Sequence, residues 1–197
     1  MQQLKNNMQV PLAATARRSP RVIAVTGGKG GVGKSCVAVN LGLALAMAGR
    51  DTLLLDADLG LANVDVLLGL QPKCNLAHLL AGDCGIEDLV LTAAHGLKVV
   101  PATSGKRHMV EMSQPEYAAV IRAFDDYPGA PEFLIVDTAA GISNSVSMFA
   151  AAADDVLVVA CDEPASLTDA YALVKVLARE CGVRHFKVVA NMVYNLS

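Results

Sequence analysis

No tryptophan occurs among the 197 residues, and only 4% of them are aromatic. Hydrophobic content is nevertheless 53% and mean hydropathy +0.42, so Val, Leu, Ile and Ala must fill a large core. Parallel sheets covered on both faces have this composition. No apolar run approaches the ~18–20 residues of a membrane span. Met1–Pro20 also lacks the apolar stretch of about 7–15 residues that a secretory signal requires. Excess positive charge is missing as well. The formal net charge is −3 and the isoelectric point about 5.8, which disfavours a dedicated nucleic-acid surface. The five cysteines, Cys36, Cys74, Cys84, Cys161 and Cys181, show no C-x-x-C spacing. The four histidines, His78, His95, His108 and His185, show no metal-ligand spacing. The cysteines read as reduced, mostly structural thiols of a cytosolic protein, the histidines as surface or structural residues.

What the chain does have is concentrated in Arg21–Gly49, RVIAVTGGKGGVGKSCVAVNLGLALAMAG. Arg21–Thr26 is a short apolar, β-branched run and reads as a buried parallel strand. Five glycines follow in seven residues, Gly27 to Gly33, interrupted only by Lys29 and Val32. Lys34, Ser35 and an Ala/Leu-rich segment with helical character come next. Gly28 to Ser35 fits G-x-x-x-x-G-K-[ST], the phosphate-binding P-loop. Glycines let successive backbone N–H groups point inward without Cβ clashes. Those donors and the helix N-terminus make a concave anion site. Lys34 adds a point charge for the β- and γ-phosphates, and the Ser35 hydroxyl can ligate Mg²⁺. By average residue usage a chance match in a chain this long has odds on the order of 1%. A dinucleotide-binding turn has no use for the Lys34-Ser35 pair.

The length suits one domain of about 150–200 residues. Residues 1–20 are polar and read as a mobile leader, leaving 21–197 as the nucleotide-binding domain. The second strand is Thr52–Asp56, running into Ala57 and Asp58, which places two carboxylates near the metal and γ-phosphate. Leu61–Leu70 reads as an apolar connector, Asn75–Ala81 as a short helix and Leu97–Pro101 as a third strand. Gln114–Tyr127 carries Tyr117, Val120, Ile121 and Phe124 at helical spacing, a core-facing stripe. Phe133–Asp137 is an apolar strand ending in the carboxylate that approaches Mg²⁺ in such sites. Thr138–Gly141 reads as a small-residue loop beside the γ-phosphate. Val156–Cys161 and Phe186–Ala190 are two more buried strands, with a helix Ser166–Glu180 between them and Ser166 as its N-cap. The β-α-β-α rhythm specifies an α/β fold, a doubly wound, mainly parallel sheet flanked by helices.

The second lysine of K-G-G-V-G-K-S, Lys29, makes this phosphate loop resemble the deviant form found in the MinD/ParA class of P-loop ATPases. Leu53–Leu70, Ile135–Gly141 and Cys161–Leu177 resemble, within that class, the FleN/FlhG family of flagellar-number regulators. The resemblance runs over Arg21–Ser197. It implies that Gly28, Lys29, Gly30, Gly31, Val32, Gly33, Lys34, Ser35 and Cys36 bind ATP or ADP, with Asn191 contacting adenine. It implies that Lys34 neutralises phosphate charge, that Ser35 and Asp137 hold Mg²⁺ with Asp56 in support, and that Asp58 orients the attacking water. Lys29 is implied to reach across a dimer interface to the partner's ATP. Its intramolecular alternative is a salt bridge to Asp169. The family pattern continues past the Asn191 strand through another strand, helices and a C-terminal amphipathic membrane-targeting helix, so the resemblance implies a C-terminally truncated domain.

Two function classes follow. One is a slow, Mg²⁺-dependent ATPase switch that dimerises with ATP and regulates flagellar number through an FlhF-type GTPase, flagellar switch proteins or a flagellar transcription activator. It would be cytoplasmic, or peripheral at the inner membrane or cell pole. Gln2, Gln3 and Gln9 do not match the N-terminal motif with which some members stimulate the GTPase, so that activity is unassigned. The other class is a ParA/MinD-type ATPase positioning DNA, cargo or the division site. Partitioning needs a basic DNA-binding face, which the charge balance disfavours. A nitrogenase-like iron–sulfur reductase needs cluster cysteines, and the loop after Asp137 has none.

Overall fold

The computed structural model describes residues 19–58, 63–102, 113–125, 127–129 and 131–193. Most of the leader, residues 1–18, lies outside the described residues. The described chain forms β1 (Arg21–Gly27), α1 (Lys34–Met47), β2 (Thr52–Ala57), α2 (Val64–Leu68), α3 (Leu76–Ala81), α4 (Ile86–Leu89) and β3 (Leu91–Thr92). It continues with a 3₁₀ turn (Ala94–Gly96), β4 (Lys98–Val100), α5 (Gln114–Asp125), β5 (Phe133–Ala140), α6 (Asn144–Ala152), β6 (Asp155–Ala160), α7 (Pro164–Glu180) and β7 (Phe186–Ala190).

Seven strands make one sheet in the order β3-β4-β2-β5-β1-β6-β7, parallel throughout except for the β3–β4 pair. The central strands are apolar without interruption because helices cover both faces. Side chains alternate between those faces along each strand. Val25, Leu54, Val99, Ile135 and Val159 face α1 and α2, packing on Ala38, Val39 and Val64. Leu53, Leu55, Val100 and Val136 face the other way, onto Leu76, Leu89, Val120 and Phe149 of α3 to α6. Val156, Val158 and Ala160 complete that second face against α6 and α7, through Val146, Ala150, Leu173 and Leu177. The order reverses at β1, whose two neighbours are β5 and β6. The carboxyl ends of the strands around such a reversal are where open α/β sheets bind ligands.

Several local expectations are corrected. The apolar connector contains a helix, α2, closed by the left-handed Gly69. β5 runs through Thr138 and Ala140, so the small-residue segment after Asp137 is strand up to Gly141. It stays extended because it pairs on both sides, Thr138 with Ala57 and Ala140 with Gly27. Helix α7 begins at Pro164, with Glu163 as N-cap. Ser166 is buried inside the first turn, where its hydroxyl accepts the Cys161 N–H at 3.0 Å. In the α5 stripe, Val120 is buried and Phe124 packs on the same core, while the side chains of Tyr117 and Ile121 lie outside the described residues. α6 and the two-residue antiparallel β3 were not singled out by the sequence pattern.

Candidate functional site

The loop from Gly28 to Gly33 joins the end of β1 to the first turn of α1, so the first N–H groups of α1 point into it. Two of its glycines are required by geometry. Gly33 has φ +89°, the left-handed region that a side chain resists. At Gly28 a Cβ would lie 2.2 Å from the Asp169 carbonyl carbon, so only glycine lets β1 exit beneath α7. Lys34 is buried, which is rare for a lysine without a partner. Its charge acts on Asp137, whose carboxylate it favours.

Two carboxylates sit side by side across the sheet, since Asp56 of β2 pairs in register with Asp137 of β5. Both are buried, and they are used differently. Asp56 Oδ1 accepts the Asp58 N–H at 3.1 Å, and its Oδ2 accepts the N–H groups of Asn63 and Val64 at 3.2 Å each. Asp56 thus ties down the loop after β2 and the start of α2. Burial pushes its carboxyl up to about 7; the three amides oppose that, and the neighbouring Asp137 adds to it. Asp137 is pushed up to about 6, again chiefly by burial, opposed by a hydrogen bond from the Ser35 hydroxyl and by Lys34, and reinforced by Asp58. Its Oδ1 is buried and has no hydrogen-bond partner among the described residues. Thr26 Oγ1, at the end of β1, is in the same condition.

An orphaned carboxylate oxygen, a hydroxyl, a buried lysine and a row of loop amides fit a hydrated cation bound together with phosphates. Magnesium is held this way, by one or two protein oxygens plus phosphate and water. No group of three or more His, Cys, Asp or Glu side chains converges to hold a metal by itself among the described residues.

Around the cradle lie the remaining candidates. Lys29 Nζ is 2.9 Å from Glu163 Oε2, and this ion pair raises the lysine's proton affinity. The intramolecular partner is therefore Glu163, and Asp169 contributes only a weaker attraction. Asn191 follows β7; its N–H reaches Ala160 O at 2.8 Å and its side-chain amide donates to Val32 O at 2.9 Å. It braces the phosphate loop from the side of β7. Cys36 is exposed and lines, with Val37, Asn40, Leu41, Leu157, Val189 and Asn191, a groove of about 460 Å³. A second cleft of about 290 Å³ is lined by Lys29 to Val32, Cys161 to Glu163 and Met192. Sequence reasoning missed Glu163 and Thr26; Thr138, expected beside the γ-phosphate, donates its hydroxyl to Val25 O at 3.1 Å. A charged residue just before the Pro164 that opens α7 was the available signal for Glu163.

A phosphate loop at the reversal point of a parallel sheet, beside a strand-end carboxylate, is the arrangement of a P-loop NTPase. Residues 18–197 match the ParA family, described as an NUBPL iron-transfer P-loop NTPase, and the chain belongs to that family. Its relatives include the antiactivator FleN of Pseudomonas aeruginosa, 56% identical over 175 residues, which are 89% of this chain and 62% of FleN. The flagellum site-determining protein YlxH of Helicobacter pylori is 35% identical over 88% of this chain and 58% of its own length. This chain therefore spans about three-fifths of these curated relatives. Among solved structures, the septum site-determining protein MinD of Pyrococcus horikoshii, complexed with Mg-ADP, superposes with a TM-score of 0.71 at 26% identity, over 86% of this chain and 68% of that one. No helix among the described residues is long and apolar enough to cross a membrane.

Proposed function

We propose that the chain is the nucleotide-binding part of an ATP-driven switch that regulates flagellar number and placement. The observation that carries the nucleotide reading is the orphaned Asp137 Oδ1 beside buried Lys34 in a glycine-lined cradle. The amides of residues 28–33 and the first turn of α1 bind the phosphates, and Lys34 offsets their charge. Ser35 and Asp137 would hold Mg²⁺, which supplies further neutralisation of phosphate charge. Asp56 acts indirectly, by holding the loop that carries Asp58. Asp58 orients the attacking water, which is enough for slow hydrolysis because phosphoryl transfer is mostly positioning and electrostatics. Cys36 and Asn191 flank the groove proposed for the base. Residues 21–197 form this unit, with residues 1–20 as a leader.

ATP and ADP differ by the charge at the γ-phosphate. In this reading Lys29 leaves Glu163 and reaches the partner subunit's phosphates when ATP is bound, giving an ATP-dependent homodimer. The likeness to FleN and YlxH supports flagellar partners: an FlhF-type GTPase, switch proteins or a transcription activator. It also supports a cytoplasmic location, with any membrane-surface attachment at the pole made by other segments. Titration calorimetry with ATP and Mg²⁺ tests the nucleotide reading, which fails if Lys34→Ala binds as the parent does. A pull-down from cells with ATP or ADP tests the partner. Recovery of DNA or septum proteins instead of flagellar ones would favour a ParA/MinD positioning role.

A further inference from the structure

Asn191 is the first residue after β7, and its side chain reaches a residue 159 positions earlier in the chain, in the phosphate loop. Its backbone N–H donates to Ala160 O at 2.8 Å, extending the pairing of Ala160 with Ala190, so the end of β6 fixes where Asn191 stands. Met192 follows in the left-handed region, φ +55°, which few residues other than glycine adopt. Both residues lie over Gly33. A Cβ there would be 2.4 Å from Asn191 Nδ2 and 3.6 Å from Met192 Cε. The Asn191 amide donates to Val32 O at 2.9 Å. A carbonyl only accepts, so the NH₂ end of the amide is the one turned to the loop.

The contact falls on a peptide unit that is free to turn over. Val32 C=O and Gly33 N–H belong to one planar trans unit, so they point in opposite directions. Turning the unit over reverses the sign of Gly33 φ, now +89°, and glycine takes either sign about equally well. One orientation offers a phosphate an N–H; the other offers it a carbonyl oxygen, which repels it. By engaging the Val32 carbonyl, Asn191 holds the Gly33 N–H on the side away from itself. We infer that Asn191 is a positioning residue for phosphate binding, presetting the Gly33 N–H as a donor whatever base the nucleotide carries. The inference rests on the nucleotide reading above and adds to the place of Asn191 beside the base groove. Its energetic basis is preorganisation. Affinity falls in proportion to the fraction of molecules whose loop already has the binding orientation.

The test uses the whole chain with Mg²⁺ and two probes: ATP, and inorganic triphosphate, which has the phosphates and no base. ATP binding is read by calorimetry and triphosphate binding by displacement of ATP. Asn191→Ala should weaken triphosphate by about two- to tenfold, the worth of one neutral hydrogen bond, and ATP by at least as much. Asn191→Leu keeps the shape of the side chain without its donor and should behave alike. The urea midpoint should stay near that of the parent. In turnover, KM should rise while kcat holds, because bound phosphates then keep the Gly33 N–H in place themselves. Weakened ATP with unchanged triphosphate would make Asn191 a base contact only and overturn the proposal. So would unchanged affinity for both probes, a fall in kcat with KM unchanged, or a parent from which triphosphate displaces no ATP. A parent that binds neither probe would overturn the nucleotide reading itself, and the proposal with it.

Discussion

Asp56 and Asp137 are neighbours in register at the ends of adjacent strands, equally buried, and they do opposite things. Asp56 is surrounded by its own backbone: three N–H groups meet its two oxygens. Asp137 has a hydroxyl on one side and, on the other, an oxygen with no hydrogen-bond partner among the described residues. A buried carboxylate with its bonds made is an organiser of structure. One left incomplete is under a desolvation penalty that a cation relieves. The difference shows why a strand-end aspartate alone says little about its role. What decides is whether the following loop folds back onto it, as the loop after β2 does and the continuation of β5 does not.

The comparison breaks most completely if the charge beside Asp137 is removed. Lys34→Ala should lower ATP affinity by on the order of 10³-fold, about 4 kcal/mol, read by calorimetry. The matching change at Asp137, to Asn, should weaken Mg²⁺-dependent ATP binding strongly while leaving the ligand-free fold intact. Asp56→Asn should do the reverse. An amide NH₂ turned toward backbone donors leaves buried N–H groups unmatched, costing about 1–3 kcal/mol of stability. Chemical denaturation of the two variants side by side would show whether the roles are as distinct as the geometry says.

The same contrast has a pH dependence. Both carboxyls are held above the ordinary value of 3.8, at about 7 for Asp56 and about 6 for Asp137. The folded chain therefore keeps protons that the unfolded chain has lost. That contribution to stability is full below the unfolded value and is lost as pH rises through about 6 and about 7. In ligand-free protein, Asp137→Asn should be stabilised relative to the parent above this window, by up to about 3 kcal/mol, and saturating Mg²⁺ with ATP should shrink the gap. Urea midpoints of both proteins across the window measure it.

Three smaller effects sharpen the picture. Asp58→Ala should bind ATP and lose turnover, by about tenfold or more for loss of a positioned group, in a phosphate-release assay. Wild-type turnover would show that Asp58 does not orient the water. Glu163→Gln should change stability by less than about 1 kcal/mol, since the Lys29 pair is exposed. Lys29→Ala in an Asp58→Ala background should bind ATP and stay monomeric by light scattering; a stable dimer there would refute the reach of Lys29 across subunits.

Much of this was written locally in the chain. The phosphate loop is contiguous, so its glycines, Lys34 and Ser35 announce themselves wherever the rest of the protein lies. Buried parallel strands are continuous apolar runs, so β1, β2, β5 and β6 and the α/β class were legible too, and so was the short helix α3. β7 was legible as a strand but is not the buried one expected, because it ends the sheet and leaves Val188 exposed. Contacts between distant loops were not. Lys29 and Glu163 are 134 residues apart, and only the pairing of β1 with β6 brings their loops together at one edge of the cradle. That register, and not the spacing of acids along α7, selects Glu163 over Asp169. Ser166 looked like a cap because Ser often is one, yet packing turned it inward to serve Cys161. The three amides on Asp56 are of the same kind. Sequence by itself determined what a single segment does with its own backbone. Tertiary structure decided which group each side chain meets, because that depends on strand order and on where loops return.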